Sequence, residues 1–254
     1  MHPLERLRSV ARATGVGPET LVREAAGALA ALGDDPVGLV TSCRRLVERH
    51  GAAGPLWWLS SRVLCAAEPA AEAWRALAEF EDDATPAVLT SVLPDGATAV
   101  VLGWPEQVID GVCRRGDVDL LLVSGGGEST GLSRHLRAAG MGVDDVEDAG
   151  TAAAVAAGDL VVVEATALGP DGFVAVAGSR AAAAVARTAG VPVWVVAGVG
   201  RALPAPLWSA LVALDACDLV VGPGGTRTPA EPDPRTGCPV AAELLKPVRQ
   251  GGAM

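Results

Sequence analysis

The feature that most constrains this chain is a series of short, uninterrupted apolar runs that alternate with helix-like segments. These runs are rich in Val and Leu and include residues 118–123, 160–163 and 191–196. A strand that is apolar at every position must be covered on both faces, which is typical of parallel sheets with helices on either side. The sequence therefore predicts an α/β fold: a doubly wound, mainly parallel sheet in a Rossmann-like domain at residues 84–254.

The same pattern predicts the order of elements in this domain. The runs at 87–92 and 97–102 flank Pro94-Asp95-Gly96 and are predicted to form a hairpin. Further strands are predicted at 118–123, 141–146, 160–163, 191–196 and 219–221, and helices at 106–115, 129–139, 151–157, 178–189 and 206–214. In such sheets the functional loops follow the carboxyl ends of strands. Here these loops are residues 103–105, 124–130, 164–172, 197–204 and 222–228.

The first part of the chain has a different pattern. Between residues 3 and 83 the apolar residues recur at helical spacing, interrupted by stretches that contain Gly and Pro. Pro18, Pro36 and Pro69 each stand where a helix would restart, and Pro is favoured in the first helical turn. The sequence predicts a helical N-terminal domain at residues 1–83, which precedes the sheet domain.

Charge and composition exclude several classes of function. The chain has 30 acidic and 20 basic residues and a net charge of −10, which opposes binding to nucleic acid. No apolar stretch reaches the roughly 20 residues of a membrane helix, so no membrane partner is expected. Five cysteines without CxxC spacing indicate a reducing, cytoplasmic location. Three scattered histidines predict no metal site, and no cofactor is expected.

Three segments resemble a known family. Residues 158–172 are similar to the segment that, in the alpha, beta and delta subunits of eukaryotic translation initiation factor 2B and their relatives, carries an Asp after a Gly-Ala pair and then an Asn-Gly turn. Residues 192–204 resemble the strand and loop that follow, with Arg201 where the family has Lys. Residues 118–131 are similar to its strand that ends in a Thr-Glu-Ser-Arg-Pro loop. The resemblance implies an initiation factor 2B-related fold of the NagB/RpiA/CoA-transferase-like type, preceded by a helical region.

The resemblance also implies two possible functions. The family includes non-catalytic regulatory subunits and isomerases of methylthioribose 1-phosphate or ribose 1,5-bisphosphate. Those isomerases use a Cys at the end of an early strand and an Asp after the Gly-Ala pair, whereas this chain has residues 103–105 without a thiol and Thr166. Apolar residues 175–177 replace the family's Asn-Lys pair. Because proton transfer needs a positioned acid and base, we expect a non-catalytic protein that binds a phosphorylated small molecule or a protein partner. The alternative is an isomerase, or another enzyme on phosphorylated metabolites, with a site rebuilt around Glu164 and Thr166.

The candidate ligand is a phosphorylated small molecule, and the candidate site consists of residues in the loops. The Gly-rich loop of residues 124–131 offers bare backbone N–H groups before a helix, which can hold phosphate, although a plain strand-to-helix turn explains the sequence equally well. Residues 222–228 combine glycines, hydroxyls and a guanidinium, and an exposed loop is the alternative there. No catalytic residue is predicted, and the candidate binding residues are Gly103, Trp104, Ser124, Gly125, Gly126, Gly127, Thr130, Glu164, Thr166, Arg201, Thr226 and Arg227.

The resemblance further implies that the protein is a homo-oligomer. The helix predicted at residues 206–214 is apolar and contains Trp208, so it is the candidate interface. The tryptophans at 57, 58 and 74 are predicted to pack the N-terminal helices.

Overall fold

The computed structural model describes residues 18–127, 129, 131–208, 219–228 and 237–245. Its contacts divide the chain into two compact units. Among the described residues, a helical unit comprises 18–82, 200–208 and 237–245, and an α/β unit comprises the described parts of 83–199 and 219–228. The chain therefore enters the helical unit three times, a path that a single boundary after residue 83 does not describe.

The helical unit begins with four helices: α1 (Pro18–Ala30), α2 (Pro36–Arg49), α3 (Gly54–Cys65) and α4 (Pro69–Glu81). All four begin at or next to a proline, and Asp35 also caps α2 by accepting the N–H of Gly38 at 2.9 Å. Trp57 and Trp58 are buried in this unit, whereas Trp74 is 52% exposed. The predicted helical region is confirmed over these residues, but Trp74 does not serve as a packing residue.

The α/β unit contains eight strands among its described residues. The helices are α5 (Thr85–Val92), α6 (Glu106–Arg115), α7 (Leu132–Ala138), α8 (Thr151–Ala157) and α9 (Ser179–Ala189). The strands are β1 (Thr98–Leu102), β2 (Asp119–Val123), β3 (Val143–Val146), β4 (Leu160–Gly169), β5 (Gly172–Ala175), β6 (Val193–Val196), β7 (Leu219–Gly222) and β8 (Gly225–Arg227). The sheet order is β3-β2-β1-β4-β6-β7-β8. β5 pairs with the outer part of β4.

All neighbours from β3 to β7 pair in parallel, while β4–β5 and β7–β8 are antiparallel. Both faces of the sheet are covered. Val101 packs with Leu89 and Val108 on the face of α5 and α6, and Val100 packs with Val155 of α8 on the other face. Each of these five side chains is fully buried, and each burial contributes about 1.5–3 kcal/mol. The predicted doubly wound, mainly parallel sheet is confirmed.

The predicted hairpin at residues 87–102 is wrong in its first half, because residues 85–92 form helix α5. Pro86 lies in the first turn, where proline is favoured, and the Asp83 carboxylate accepts the Thr85 N–H at 2.9 Å. Leu89 on this helix and the C-cap residue Leu93 are both buried. The period of a short apolar run does not distinguish a strand from a helix. Packing against other elements therefore determined that this segment is helical.

Two predicted loops are wrong as well. Residues 164–172 largely continue β4, which pairs with β5, because Leu168 and Phe173 are buried and stabilise this hairpin. Residues 222–228 hold the β7–β8 hairpin. The other predicted strands and helices are confirmed within a few residues. The helix predicted at 206–214 is present as α10 (Ala205–Trp208), and its later residues lie outside the described part of the chain. The last described helix is α11 (Ala242–Leu245).

Candidate functional site

The sheet order places a topological switch point between β1 and β4. From β1 the chain continues to β2 on one side, and from the β4–β5 hairpin it continues to β6 on the other side. Ligands of open α/β sheets bind outside the carboxyl ends of strands at such a point. The candidate site is therefore expected where Gly103 follows β1 and where Glu164 lies on β4.

Close backbone approach brings the loops after β1 and β2 together. The Gly103 N–H donates to the carbonyl of Val123 at 3.0 Å. A Cβ atom on Gly125 would lie 2.8 Å from the Gly103 nitrogen and 3.4 Å from Val176, and Gly125 has a φ of 61°. Only glycine tolerates both this space and this φ. Gly103, Gly125 and Val176 thus mark a place where three connections converge.

The Gly-rich loop, however, already holds a carboxylate of the protein. Asp148 accepts the N–H of Gly125 at 2.8 Å and that of Gly126 at 3.1 Å. The N–H of Gly127 donates to the Ser124 hydroxyl at 3.1 Å. A phosphate could use these groups only after displacing Asp148. Sequence analysis did not single out Asp148, because its partners lie more than 20 residues away in the chain.

Glu164, the candidate acid or base, caps a helix. Its Oε2 accepts the N–H of Gln107 at 2.8 Å and that of Val108 at 3.3 Å, in the first turn of α6. The N-cap residue Pro105 offers no side-chain cap of its own. A negative charge is stabilised at a helix N-terminus, and a cap contributes about 0.5–2 kcal/mol.

A second part-buried carboxylate, Asp83, was not found by sequence analysis. Asp83 accepts the Thr85 N–H at 2.9 Å, the Thr85 hydroxyl at 2.6 Å, the Gln107 amide at 2.6 Å and the Val199 N–H at 2.7 Å. A Cβ atom on Gly198 would collide with the Asp83 carboxylate and the Gln107 amide. Asp83 therefore joins α5, α6 and the loop after β6. Its carboxylate thus stabilises the fold.

The most informative polar side chain at this edge is Ser179. It is fully buried in the first turn of α9, and its hydroxyl has no hydrogen-bond partner. Its own N–H donates to the Val176 carbonyl at 3.2 Å. A Cβ atom on the preceding Gly178 would lie 3.4 Å from Leu102, so the N-terminus of α9 lies near the carboxyl end of β1. A hydroxyl donor beside the positive end of a helix dipole favours an anion.

The structure brings together only part of the predicted site. Gly103, Trp104, Ser124 to Gly127 and Glu164 lie around the ends of β1, β2 and β4, and Trp104 is 47% exposed. Thr166 lies farther along the β4–β5 hairpin, is exposed, and donates to the Val174 carbonyl at 3.2 Å.

The remaining predicted residues lie elsewhere. Thr226 and Arg227 are on β8, which β4, β6 and β7 separate from β1. Arg201 is buried and belongs to the helical unit. Thr130 lies outside the described residues. The order of the strands in the sequence does not give their order in the sheet. The distances between loops that follow different strands could therefore not be predicted.

Metal binding and nucleophilic catalysis by a thiol receive no support from the described residues. No three His, Cys, Asp or Glu side chains there are grouped so that they could hold a metal ion. Cys113 is an exposed thiol on α6. Partial burial, followed by the nearby Asp110 charge, raises its pKa, so the thiol stays protonated at neutral pH and is a weak nucleophile. No helix in the described part of the chain is long and apolar enough to cross a bilayer.

No model of a known protein family matches this chain, and no curated protein matches it. Solved structures do match. The tetrameric eIF2B-beta2-delta2 complex from Chaetomium thermophilum gives a TM-score of 0.74 at 15% identity, over 89% of this chain and 90% of that chain. Translation initiation factor eIF-2B from Pyrococcus horikoshii gives 0.71 at 18% identity, over 79% of each chain. The chain has the eIF2B fold. The resemblance read from the sequence is thus confirmed at the level of fold.

The eIF2B fold does not by itself define an activity. The 5-methylthioribose 1-phosphate isomerase from Pyrococcus horikoshii also matches, with a TM-score of 0.63 at 15% identity over 90% of this chain and 85% of that chain. Proteins described as initiation factors and as an isomerase therefore share this fold. Function must be argued from the side chains at the carboxyl edge of the sheet.

Proposed function

We propose that this eIF2B-fold protein is a non-catalytic binding protein whose ligand is a phosphorylated small molecule. The observation that carries the proposal is that the Glu164 carboxylate caps the N-terminus of α6. An acid or base must be within reach of the proton that it transfers. Because the Glu164 carboxylate accepts two backbone N–H groups, it serves as a helix cap rather than as an acid or base.

The other positions support the same conclusion. At the place where the resembling isomerases have Asp, Thr166 is exposed on a hairpin and bonded to the Val174 carbonyl. Where they have Cys, this chain has Trp104 and Pro105. Asp83 makes four hydrogen bonds to the protein. These side chains supply neither of the two groups that isomerisation of a sugar phosphate requires. The alternative, an isomerase with a rebuilt site, would need Glu164 to leave α6.

Binding of a phosphate group is supported by Ser179. Burying a hydroxyl without a hydrogen bond costs about 1–3 kcal/mol, a cost that a bound anion would remove. The hydroxyl lies at the N-terminus of an 11-residue helix, close to the carboxyl end of β1. We therefore place the phosphate beside Ser179 rather than in the loop that Asp148 occupies.

Turnover tests the non-catalytic part of the proposal. NMR spectra of methylthioribose 1-phosphate and ribose 1,5-bisphosphate incubated with the protein are expected to show no ketose above background. Glu164→Gln should be equally inactive. Activity in the wild-type protein that is lost in Glu164→Gln would establish the isomerase alternative.

Ligand binding is tested separately by thermal shift with sugar phosphates and nucleoside monophosphates, since a ligand that binds only the folded state raises the Tm. Ser179→Ala is expected to raise the apparent Kd of the phosphorylated ligand at least tenfold, because hydrogen bonds to charged groups contribute about 1.5–3 kcal/mol. The control is Ser91→Ala, since the Ser91 hydroxyl is bonded to the Val88 carbonyl at an exposed position of α5. Equal responses of both variants would contradict a site at Ser179.

We also propose that the protein self-associates and resides in the cytoplasm. Support for assembly comes from the match to the eIF2B-beta2-delta2 structure, which is a tetrameric complex. Trp208, however, is only 5% exposed in the chain, so it is not available as an interface residue. Sedimentation that showed only the 25.5 kDa monomer at micromolar concentration would contradict self-association.

A further inference from the structure

The last described segment, residues 237–245, is held on the helical unit by a few specific bonds. The Ser61 hydroxyl on α3 donates to the carbonyl of Pro239 and accepts the Ala241 N–H at 2.8 Å. The Arg44 guanidinium on α2 donates to the Glu243 carbonyl at 2.8 Å. We call residues 237–245 the C-terminal strap. Its position is thus defined by α2 and α3 of the same unit.

Two cysteines lie next to the residues that form this attachment. Cys65 lies four residues after Ser61 on α3, and residues four apart on a helix share a face. Cys238 directly precedes Pro239, whose carbonyl accepts the Ser61 hydroxyl. Cys65 is exposed and Cys238 is buried. A reagent from solvent can therefore reach Cys65 first.

We propose that Cys65 and Cys238 form an oxidative disulfide that ties the C-terminal strap to helix α3. In the structure both are free thiols, which is the reduced state. Ser61, one helical turn before Cys65, holds residues 239 and 241 just after Cys238, so both thiols lie where the C-terminal strap attaches to α3. Because the cross-link joins residues far apart in sequence, it restricts the unfolded chain strongly.

The reaction needs a small-molecule disulfide as oxidant. The Cys65 thiolate attacks one sulfur of that disulfide, which forms a mixed disulfide and releases one small thiolate. The Cys238 thiolate then attacks the Cys65 sulfur and releases the second small thiolate. The two protein thiols lose two protons and two electrons in total, and the two released thiolates take them up.

The pH dependence follows from the two thiols and the groups around them. Burial, reinforced by the nearby Cys65, raises the pKa of Cys238 to about 12, although the Arg62 charge opposes this effect. Burial and then the Glu243 carboxylate raise the pKa of Cys65. Both thiols are therefore almost entirely protonated at pH 7. The rate of closure should rise about tenfold per pH unit from pH 7 to pH 9, because the thiolate is the nucleophile.

The experiment exposes the full-length protein to oxidised glutathione at pH 8.5 and maps disulfides by mass spectrometry without reduction. We expect a Cys65–Cys238 cross-linked peptide and a Tm at least ~5 °C above that of the reduced protein. Cys65→Ser should abolish both changes. Cys113→Ser removes an exposed thiol of the α/β unit and is the matched control, which should retain both.

The results that would support the disulfide differ from those that would overturn it. Cys65→Ser replaces an exposed side chain, so the test does not depend on whether a variant of buried Cys238 folds. The proposal is overturned if Cys65 remains a stable mixed disulfide with glutathione, or if the mapped bridge involves Cys113 or Cys217. It is also overturned if the oxidised and reduced proteins have the same Tm.

Discussion

At the scale of single residues, this protein uses its carboxylates to bind its own backbone. Glu164 accepts two N–H groups of α6, Asp148 accepts two from the Gly-rich loop, and Asp83 accepts bonds from three places in the chain. None of these partners was predicted from the sequence, because an acidic residue shows no local sign of the partner it will have. Two of the three, Glu164 and Asp148, lie where a ligand was expected, so groups of the protein itself occupy these carboxylates.

Asp83→Asn is expected to lower the free energy of unfolding by about 3 kcal/mol. An amide has a single acceptor oxygen, so its NH₂ group would face either the two Thr85 donors or the Val199 N–H and the Gln107 amide, and part-buried donors would lose their partners. Urea unfolding followed by circular dichroism measures the change. Asp82→Asn, at the exposed neighbouring residue, is the control and should change stability by less than ~0.5 kcal/mol. Equal effects of the two substitutions would show that the hydrogen bonds of Asp83 do not stabilise the fold.

At the scale of elements, the contact between α5 and α6 explains why residues 85–92 are helical. α6 has glycine at position 111, and a Cβ there would lie 2.9 Å from Leu89 Cδ2 and 3.1 Å from the Pro86 carbonyl. The Thr90 hydroxyl also donates to the Gly111 carbonyl at 2.9 Å. This close approach of the two helices accompanies the complete burial of Leu89.

Gly111→Ala is expected to destabilise the protein by roughly 1 kcal/mol. Ala gains about 0.5–1 kcal/mol over Gly within a helix, but overpacking against Leu89 and Pro86 costs about 1–3 kcal/mol. A double-mutant cycle with Leu89→Ala separates these effects, because that variant removes the nearest colliding atom. In the Leu89→Ala background, Gly111→Ala should be less costly. Independent, additive effects would argue against the observed contact.

At the scale of the whole molecule, the path of the chain sets the limits of the two units. Residues 200–208 and 237–245 belong to the helical unit although they follow most of the sheet in sequence. Ser61 and Arg44, which hold residues 239–243, come from the first part of the chain. A cut after residue 83 therefore removes the partners of later segments.

The fragment of residues 84–254 is expected to be less stable and less soluble than the full chain. Its C-terminal strap loses Ser61 and Arg44, and the burial of Cys238 and Leu244 in the helical unit is lost with them. Limited proteolysis should cleave the strap at least tenfold faster in the fragment than in the full chain. Similar cleavage rates and solubility would contradict the contact-based division of the chain.

Local patterns were sufficient for much of the fold. The α6 and α8 helices and the β2 strand were predicted within one residue, because their apolar period and their Gly and Pro boundaries are properties of a few neighbouring residues. The parallel, two-faced sheet followed from runs that are apolar at every position. The candidate site was predicted only in part: Gly103 and Ser124 to Gly127 do converge, while Arg227 and Arg201 lie elsewhere.

The sequence by itself determined the class of the fold and the order of most elements, since hydrophobic periodicity acts over one strand or one helix. Only the tertiary structure decided that residues 85–92 are helical, that β1 lies between β2 and β4, and that Glu164 meets Gln107 across 57 positions of sequence. These outcomes depend on contacts between distant segments. Burial of Leu89 and capping of α6 have no local signal, because their free energy exists only once the sheet has brought the partners together.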